Sequence, residues 1–246
     1  MSPPTVEGGR NSAARVTCSA VLRFSWLGSG SELSFVSPAV GHSCLLFEDG
    51  NEQKKAVLPF IKQGLEDGEQ CFYIGREASL DDWLFEFQTY GIDVQSEQER
   101  GALRVTSSWH SSRPGATNSI DLARRLWAAI ESGLASFSAI RCAADMTLTL
   151  ETGVTVSQLC HWEATINPLI EDEKVRMFCL YDLRSLSTGA IHSALRTHPS
   201  VVRRVRAVSN PYYEAYRILE NEPYLNDSDA DAAAIQAMLA NLDAQQ

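Results

Sequence analysis

From His42 to Arg76 the chain reads strand, helix, strand, and nothing in it fits a phosphate-binding loop. Ser43-Cys44-Leu45-Leu46-Phe47 is a short apolar run that ends in Glu48-Asp49-Gly50. Apolar residues at helical spacing follow over residues 51–65, Gly68 closes that helix, and Cys71-Phe72-Tyr73-Ile74 is a second apolar run. This order predicts an opening βαβ unit. Nucleotide-binding α/β folds place a glycine-rich loop after the first strand. Here the slot holds one glycine, the carboxylates Glu48, Asp49 and Glu52, and no Gly-Lys-Ser/Thr. A phosphate cradle needs glycines, open backbone N–H groups and a lysine, and three carboxylates repel phosphate. The scaffold is that of a nucleotide-binding protein put to another use.

The alternation continues downstream. Residues 80–90 read as a helix ended by Gly91, residues 103–106 as a third strand, and 110–115 as a polar loop. A helix over 120–130 closed by Gly133, a strand over 137–143 running into Asp145, and a helix over 156–170 follow. Residues 175–181 give a fifth strand ending at Asp182, then a helix spans 188–195 and a late edge strand 201–208, whose Arg204 and Arg206 read as a solvated sheet edge. Strands alternating with helices predict an α/β fold with a mostly parallel sheet covered by helices on both faces, hence three layers. Pro59 falls inside the first helix and is expected to bend it or remove one hydrogen bond.

The 246 residues suit one such domain with extensions. Residues 1–37 form an N-terminal extension whose first part is rich in Pro, Gly and Ser and is expected to be partly disordered; residues 38–219 form the domain. Residues 220–246 form an acidic tail with Glu220, Glu222, Asp227, Asp229, Asp231 and Asp243 and no Lys or Arg. Those six carboxylates supply −6 of the net −10. Ser228 and Asp231 make a capping pattern there, ahead of a stripe of Ile235, Met238, Leu239 and Leu242 that needs a surface to lie on. The negative charge argues against direct nucleic-acid binding or an anionic membrane. No apolar run is long enough for a transmembrane helix, and Arg23 interrupts the one stretch resembling a signal sequence. Of the six cysteines, Cys44, Cys71, Cys142 and Cys179 lie in apolar strands and none is in C-x-x-C spacing, which predicts buried thiols in a reducing cytoplasm.

Catalytic and metal-binding constellations are weak in the one-dimensional pattern. His42, Glu48, Glu163 and His198 are metal-capable types but scattered, without H-x-x-x-H or H-E-x-x-H spacing, so the expectation is no metal and no cofactor. No serine sits in a G-x-S-x-G elbow, and Asp145, where an ATPase holds its metal, has no phosphate loop to act with. In open α/β sheets ligands bind beyond the carboxyl ends of the strands. Phe47, Glu48, Trp109, Asp145, Tyr181 and Asp182 fall at such ends and are the candidate ligand-binding residues, for a small and apolar or weakly polar molecule.

An ordered series of segments resembles the MEDS domain, a sensory domain named for methanogens, methylotrophs and the dichloromethane-dehalogenase regulator. The matching segments are His42-Ser43-Cys44-Leu45-Leu46-Phe47-Glu48 and residues 57–71, then Arg141 to Met146 and Trp162-Glu163-Ala164-Thr165-Ile166-Asn167. Phe178-Cys179-Leu180-Tyr181-Asp182, Thr197-His198-Pro199 and Asn210-Pro211-Tyr212-Tyr213 complete the series. The resemblance spans about residues 38–216. It implies a RecA/KaiC-like domain that has lost its phosphate loop and serves in signal transduction and transcription regulation in bacteria. His42, Glu163, Cys179, His198 and Pro199 match the family pattern, in ligand-binding or structural roles. The family's domain is attached to kinases, DNA-binding segments or anti-sigma modules, whereas no output domain is evident here. The family's usual Glu near the end of the fourth strand is replaced by Asp145.

The expected function is therefore a non-catalytic cytoplasmic sensor that binds a small molecule and signals through a partner protein of kinase, anti-sigma or regulator type, with a homodimer as one possible form. A ligand-free interaction or assembly module and a residual nucleotide binder are the alternatives.

Overall fold

The computed structural model describes residues 41–107, 119–151, 153–170, 174–215 and 231–245, all within the compact unit Ser34–Gln246. The N-terminal extension, Trp109, Cys18, the polar loop at 110–115 and Ser228 lie outside the described residues. In chain order the elements are β1 (Gly41–Phe47), α1 (Gly50–Glu66), β2 (Gln70–Ile74), α2 (Leu80–Thr89), α3 (Val94–Glu99) and β3 (Leu103–Thr106). There follow α4 (Ser119–Leu134), β4 (Ile140–Asp145), α5 (Met146–Glu151), α6 (Val156–Ile166) and β5 (Val175–Asp182). The last are α7 (Thr188–Thr197), β6 (Ser200–Arg203), β7 (Arg206–Ser209) and α8 (Ala232–Asp243).

The strands form one sheet in the order β3-β2-β4-β5-β1-β6-β7, parallel throughout except for the β6–β7 pair. Alternate residues of each strand enter opposite cores, which is why the central strands read as unbroken apolar runs. Leu45, Phe47, Tyr73, Phe178 and Leu180 pack with Val57, Phe60 and Ile61 of α1 and Trp83 and Phe87 of α2. Cys44, Leu46, Cys142, Met177, Cys179 and Tyr181 pack on the other face with α4, α6, α7 and α8. The three-layer α/β expectation holds.

Several boundaries differ from the sequence reading for identifiable reasons. The helix expected to close at Gly133 runs on to Leu134, and that glycine is where α4 touches the sheet. A Cβ there would stand 2.4 Å from Gln70 Oε1 and from Ile140 Cδ1. The helix expected over 156–170 ends at Ile166 and continues as a 3-10 turn at Asn167–Leu169, with Pro168 in its first turn. The short helices α3 and α5 carry too few turns to show a period. Helix α1 runs through Pro59 without interruption, because Ala56, Val57, Phe60 and Ile61 around it are buried.

The single late strand expected over 201–208 is a hairpin instead. Arg204 and Val205 form its two-residue connection at φ 46° and 65°. A primed turn suits the strand twist but favours Asn-Gly, and a β-branched residue is strained there. Replacing Arg204 and Val205 by Asn-Gly is expected to stabilise the fold by about 0.5–1 kcal/mol, read as a raised urea midpoint at unchanged slope.

Helix α8 lies on the domain and buries Ile235, Leu239 and Leu242 beside Ile191 and Leu195 of α7. Asp231 caps it, accepting from Ala233 N at 2.9 Å. Buried Arg203 grips its far end, with Nε 2.7 Å and Nη2 3.2 Å from the Asp243 carboxylate. Hydrogen bonding to Arg203 holds the Asp243 carboxyl below the usual range. A depressed carboxyl contributes stability above its unfolded value and loses it as pH falls through the folded one. The protection of α8 amides, taken as exchange relative to the intrinsic rate at each pH, is therefore expected to fall below the ordinary aspartate range, and Asp243→Asn to flatten that dependence. Among the described residues no helix is long and apolar enough to cross a membrane.

Candidate functional site

The chain leaves β1 toward β2 over one face and leaves β5 toward β6 over the other. Strands β1 and β5 are adjacent, so their carboxyl ends flank the switch point of the sheet, the expected ligand position in open α/β folds. A cavity of about 210 Å³ opens there, lined by Phe47, Gly50, Gln53, Arg76, Asp145, Thr147, Asp182 and Arg184. Three of the six candidate residues thus come together. Asp145 Oδ1 accepts from Thr147 N at 2.9 Å, and its other oxygen stands 3.9 Å from Arg76 Nε. Burial raises the Asp145 carboxyl, and the Thr147 hydrogen bonds oppose that rise. Asp182 Oδ1 accepts from Arg184 N at 2.9 Å.

The other candidates go elsewhere. Glu48 points away to Arg203, 3.2 Å distant, and borders a separate cavity of about 240 Å³ beneath α8. Tyr181 faces the core rather than the crevice, and its hydroxyl donates to Glu163. Trp109 lies outside the described residues.

The phosphate slot is closed from within. Asp49 Oδ1 accepts from Asn51 N at 2.8 Å and Glu52 N at 3.0 Å, so the N–H groups that would meet phosphate are already taken. Glu52 turns back to accept from Glu48 N at 2.8 Å. A calorimetric titration with Mg-ATP is expected to show no saturable heat into the millimolar range. A micromolar dissociation constant would overturn this.

The most concentrated chemistry lies in the core beneath β1 and β5. His42 (β1), Glu163 (α6), Cys179 (β5) and His198 (after α7) are all buried, and one donor atom of each lies within 4.8 Å of the other three. His42 Nε2 donates to Glu163 Oε2 at 2.9 Å and is 3.3 Å from Cys179 Sγ. Tyr181 donates to Glu163 Oε1 at 2.8 Å, and the Cys179 thiol reaches Oε2 at 3.6 Å. The His42 and His198 rings lie 4.0 Å apart.

Each orientation has a local cause. Pro199 forces His198 out of the helix, to φ −112° and ψ 121°, and Asn210 binds the carbonyls of Leu195 and His198 at 2.6 and 2.7 Å. His198 Nδ1 donates to Ala194 O at 2.8 Å. Asn167 Nδ2 donates to the carbonyls of Glu163 and Thr197, which turns its Oδ1 to His42 Nδ1 at 3.1 Å. Burial would raise the Glu163 carboxyl, but the nearby imidazoles and Tyr181 outweigh it and hold Glu163 low. Burial, aided by His42, pushes His198 down to about 3.

Along the sequence His42, Glu163 and His198 are metal-capable residues without metal-site spacing. The fold brings these three together with Cys179 and leaves Glu48 outside. One signal was available in the pattern. Glu163 sits at a core-facing position of α6, between Leu159 and Ile166, where a lone carboxylate is costly.

The model of the family described as MEthanogen/methylotroph, DcmR Sensory domain, MEDS, matches residues 41–199. The chain belongs to this family. The matched stretch of this MEDS chain contains the whole buried cluster and all eight residues that line the switch-point crevice. A crystal structure of a KaiC-like protein from the hyperthermophilic archaeon Pyrococcus horikoshii OT3 is similar over 66% of this chain and 71% of that one, at 14% identity and a TM-score of 0.47. No curated protein matches.

Proposed function

We propose that this MEDS domain is a non-catalytic cytoplasmic sensor that binds a small organic molecule in the crevice between the carboxyl ends of β1 and β5 and passes its state to a signalling protein. The observation that carries this reading is the pairing, at the switch point, of a closed phosphate slot with an open pocket of about 210 Å³. That volume admits a molecule of a few heavy atoms, below the range of drug-sized pockets. Phe47 offers an apolar wall, and the opposed pairs Arg76 with Asp145 and Arg184 with Asp182 offer donors and acceptors, so the fitting ligand is small and polar at one end.

A second reading, a larger apolar ligand, draws on a groove of about 530 Å³ between α4 and strands β2–β4. Phe72, Ile74, Leu126, Ile130 and Met177 line it, with Gln98 and Arg104 as polar groups. Native mass spectrometry of protein purified from its own host separates the two. An adduct lost in Asp182→Ala and kept in Ala129→Trp supports the crevice. Loss only in Ala129→Trp transfers the role to the groove. No adduct on the wild-type protein counts against the sensor reading and favours a ligand-free interaction module.

A further inference from the structure

We infer that His42, Glu163, Cys179 and His198 form a closed four-ligand site for one divalent ion of the zinc class. This inference stands independently of the small-molecule reading. Its geometric basis is the set of donor separations. A tetrahedral zinc ion with one sulfur and three N or O ligands places its donors about 3.3–3.6 Å apart. The observed separations are 2.9 Å for His42 Nε2 to Glu163 Oε2, 3.3 Å for His42 Nε2 to Cys179 Sγ, and 3.6 Å for Glu163 Oε2 to Cys179 Sγ. Glu163 Oε2 to His198 Nε2 is likewise 3.6 Å, and the two remaining pairs, His198 with His42 and with Cys179, lie within 4.8 Å.

The second basis is an orphaned acceptor. His198 Nδ1 carries the proton, because it faces the Ala194 carbonyl. Its buried Nε2 therefore holds a lone pair, has no hydrogen-bond partner, and points at a carboxylate oxygen. Two buried acceptors facing each other with nothing between them is an unfavourable arrangement that a cation reverses.

The surrounding groups are those a metal site requires. Imidazole ligands are normally fixed through their other nitrogen, and here Asn167 Oδ1 holds His42 and Ala194 O holds His198. Tyr181 occupies Glu163 Oε1 and leaves Oε2 for the ion.

Charge also closes. Binding releases the Cys179 thiol proton and the proton on His42 Nε2 to solvent. One thiolate, one carboxylate and two neutral imidazoles then neutralise a 2+ ion, and the core stays uncharged. Two nitrogens, one sulfur and one oxygen suit zinc or cobalt(II) and exclude calcium and magnesium. All four positions come from protein and every ligand is buried, so the site is structural rather than catalytic, and it fills as the chain folds.

The test uses the full chain without a histidine tag, unfolded in guanidinium with a chelator, then refolded by dilution into zinc or cobalt(II) and passed through gel filtration. Wild-type protein is expected to retain about one zinc per chain, and His42→Gln and His198→Gln to retain roughly tenfold less. Cobalt-loaded wild type should show the thiolate-to-cobalt charge-transfer band and the visible bands of tetrahedral cobalt(II). Cys179→Ser should lose the charge-transfer band. The wild-type measurements need no variant to fold. Wild type that retains no zinc, or a charge-transfer band that persists in Cys179→Ser, overturns the site.

Discussion

Glu163→Leu is expected to destabilise the domain by about 3–5 kcal/mol, the range for removing one partner from a buried charged network. Leucine is close to glutamate in size, so the loss comes from polar groups rather than from a cavity. Without the carboxylate, His42 Nε2 and the Tyr181 hydroxyl lose their acceptor in a region closed to water. Glu163→Gln keeps an oxygen for one of them and is expected to cost less, about 1–3 kcal/mol. Urea unfolding at neutral pH, with slopes compared to confirm two-state behaviour, separates the three proteins. A leucine variant within about 1 kcal/mol of wild type would show that the cluster is not a stabilising network.

Arg141→Lys is expected to destabilise nearly as much as Arg141→Ala, by about 3 kcal/mol, because the guanidinium fork is the functional shape there. Buried under α1, Arg141 donates from Nε to Glu69, from Nη1 to Phe60 O at 3.0 Å and from Nη2 to Asp67 Oδ2 at 3.2 Å. Glu69 also accepts from Arg176 at 2.6 Å, so one carboxylate joins β4 and β5. Gly64 makes the room, since a Cβ there would come within 2.6 Å of Arg141 Cδ. A lysine reaches Glu69 but abandons the Phe60 carbonyl and Asp67. If the lysine variant unfolds at the wild-type urea midpoint, charge alone suffices and the fork is irrelevant.

These two networks mark the limit of what the sequence made legible. The central strands were readable because burial on both faces leaves unbroken apolar runs such as Cys44–Phe47 and Phe178–Tyr181. The self-capped, acidic start of α1 was readable because a phosphate loop is a local motif, present or absent within a few residues. The stripe of α8 was readable as needing a surface, although not which surface. The β6–β7 hairpin was missed because its turn residues, Arg204 and Val205, are ones that the turn type disfavours.

Sequence by itself determined the α/β layering, the absence of a phosphate-loop motif after the first strand and the resemblance to the MEDS family, since hydrophobic period and local motifs are properties of neighbouring residues. Tertiary structure alone decided that Tyr181 turns inward and Glu48 points away to Arg203, and that His42, Glu163, Cys179 and His198 meet. The register of β1 on β5, which sets His42 opposite Met177 and Cys44 opposite Cys179, and the packing of α6 across both strands place those side chains. Such convergence depends on the relative positions of elements far apart along the chain, and no spacing within the sequence encodes it.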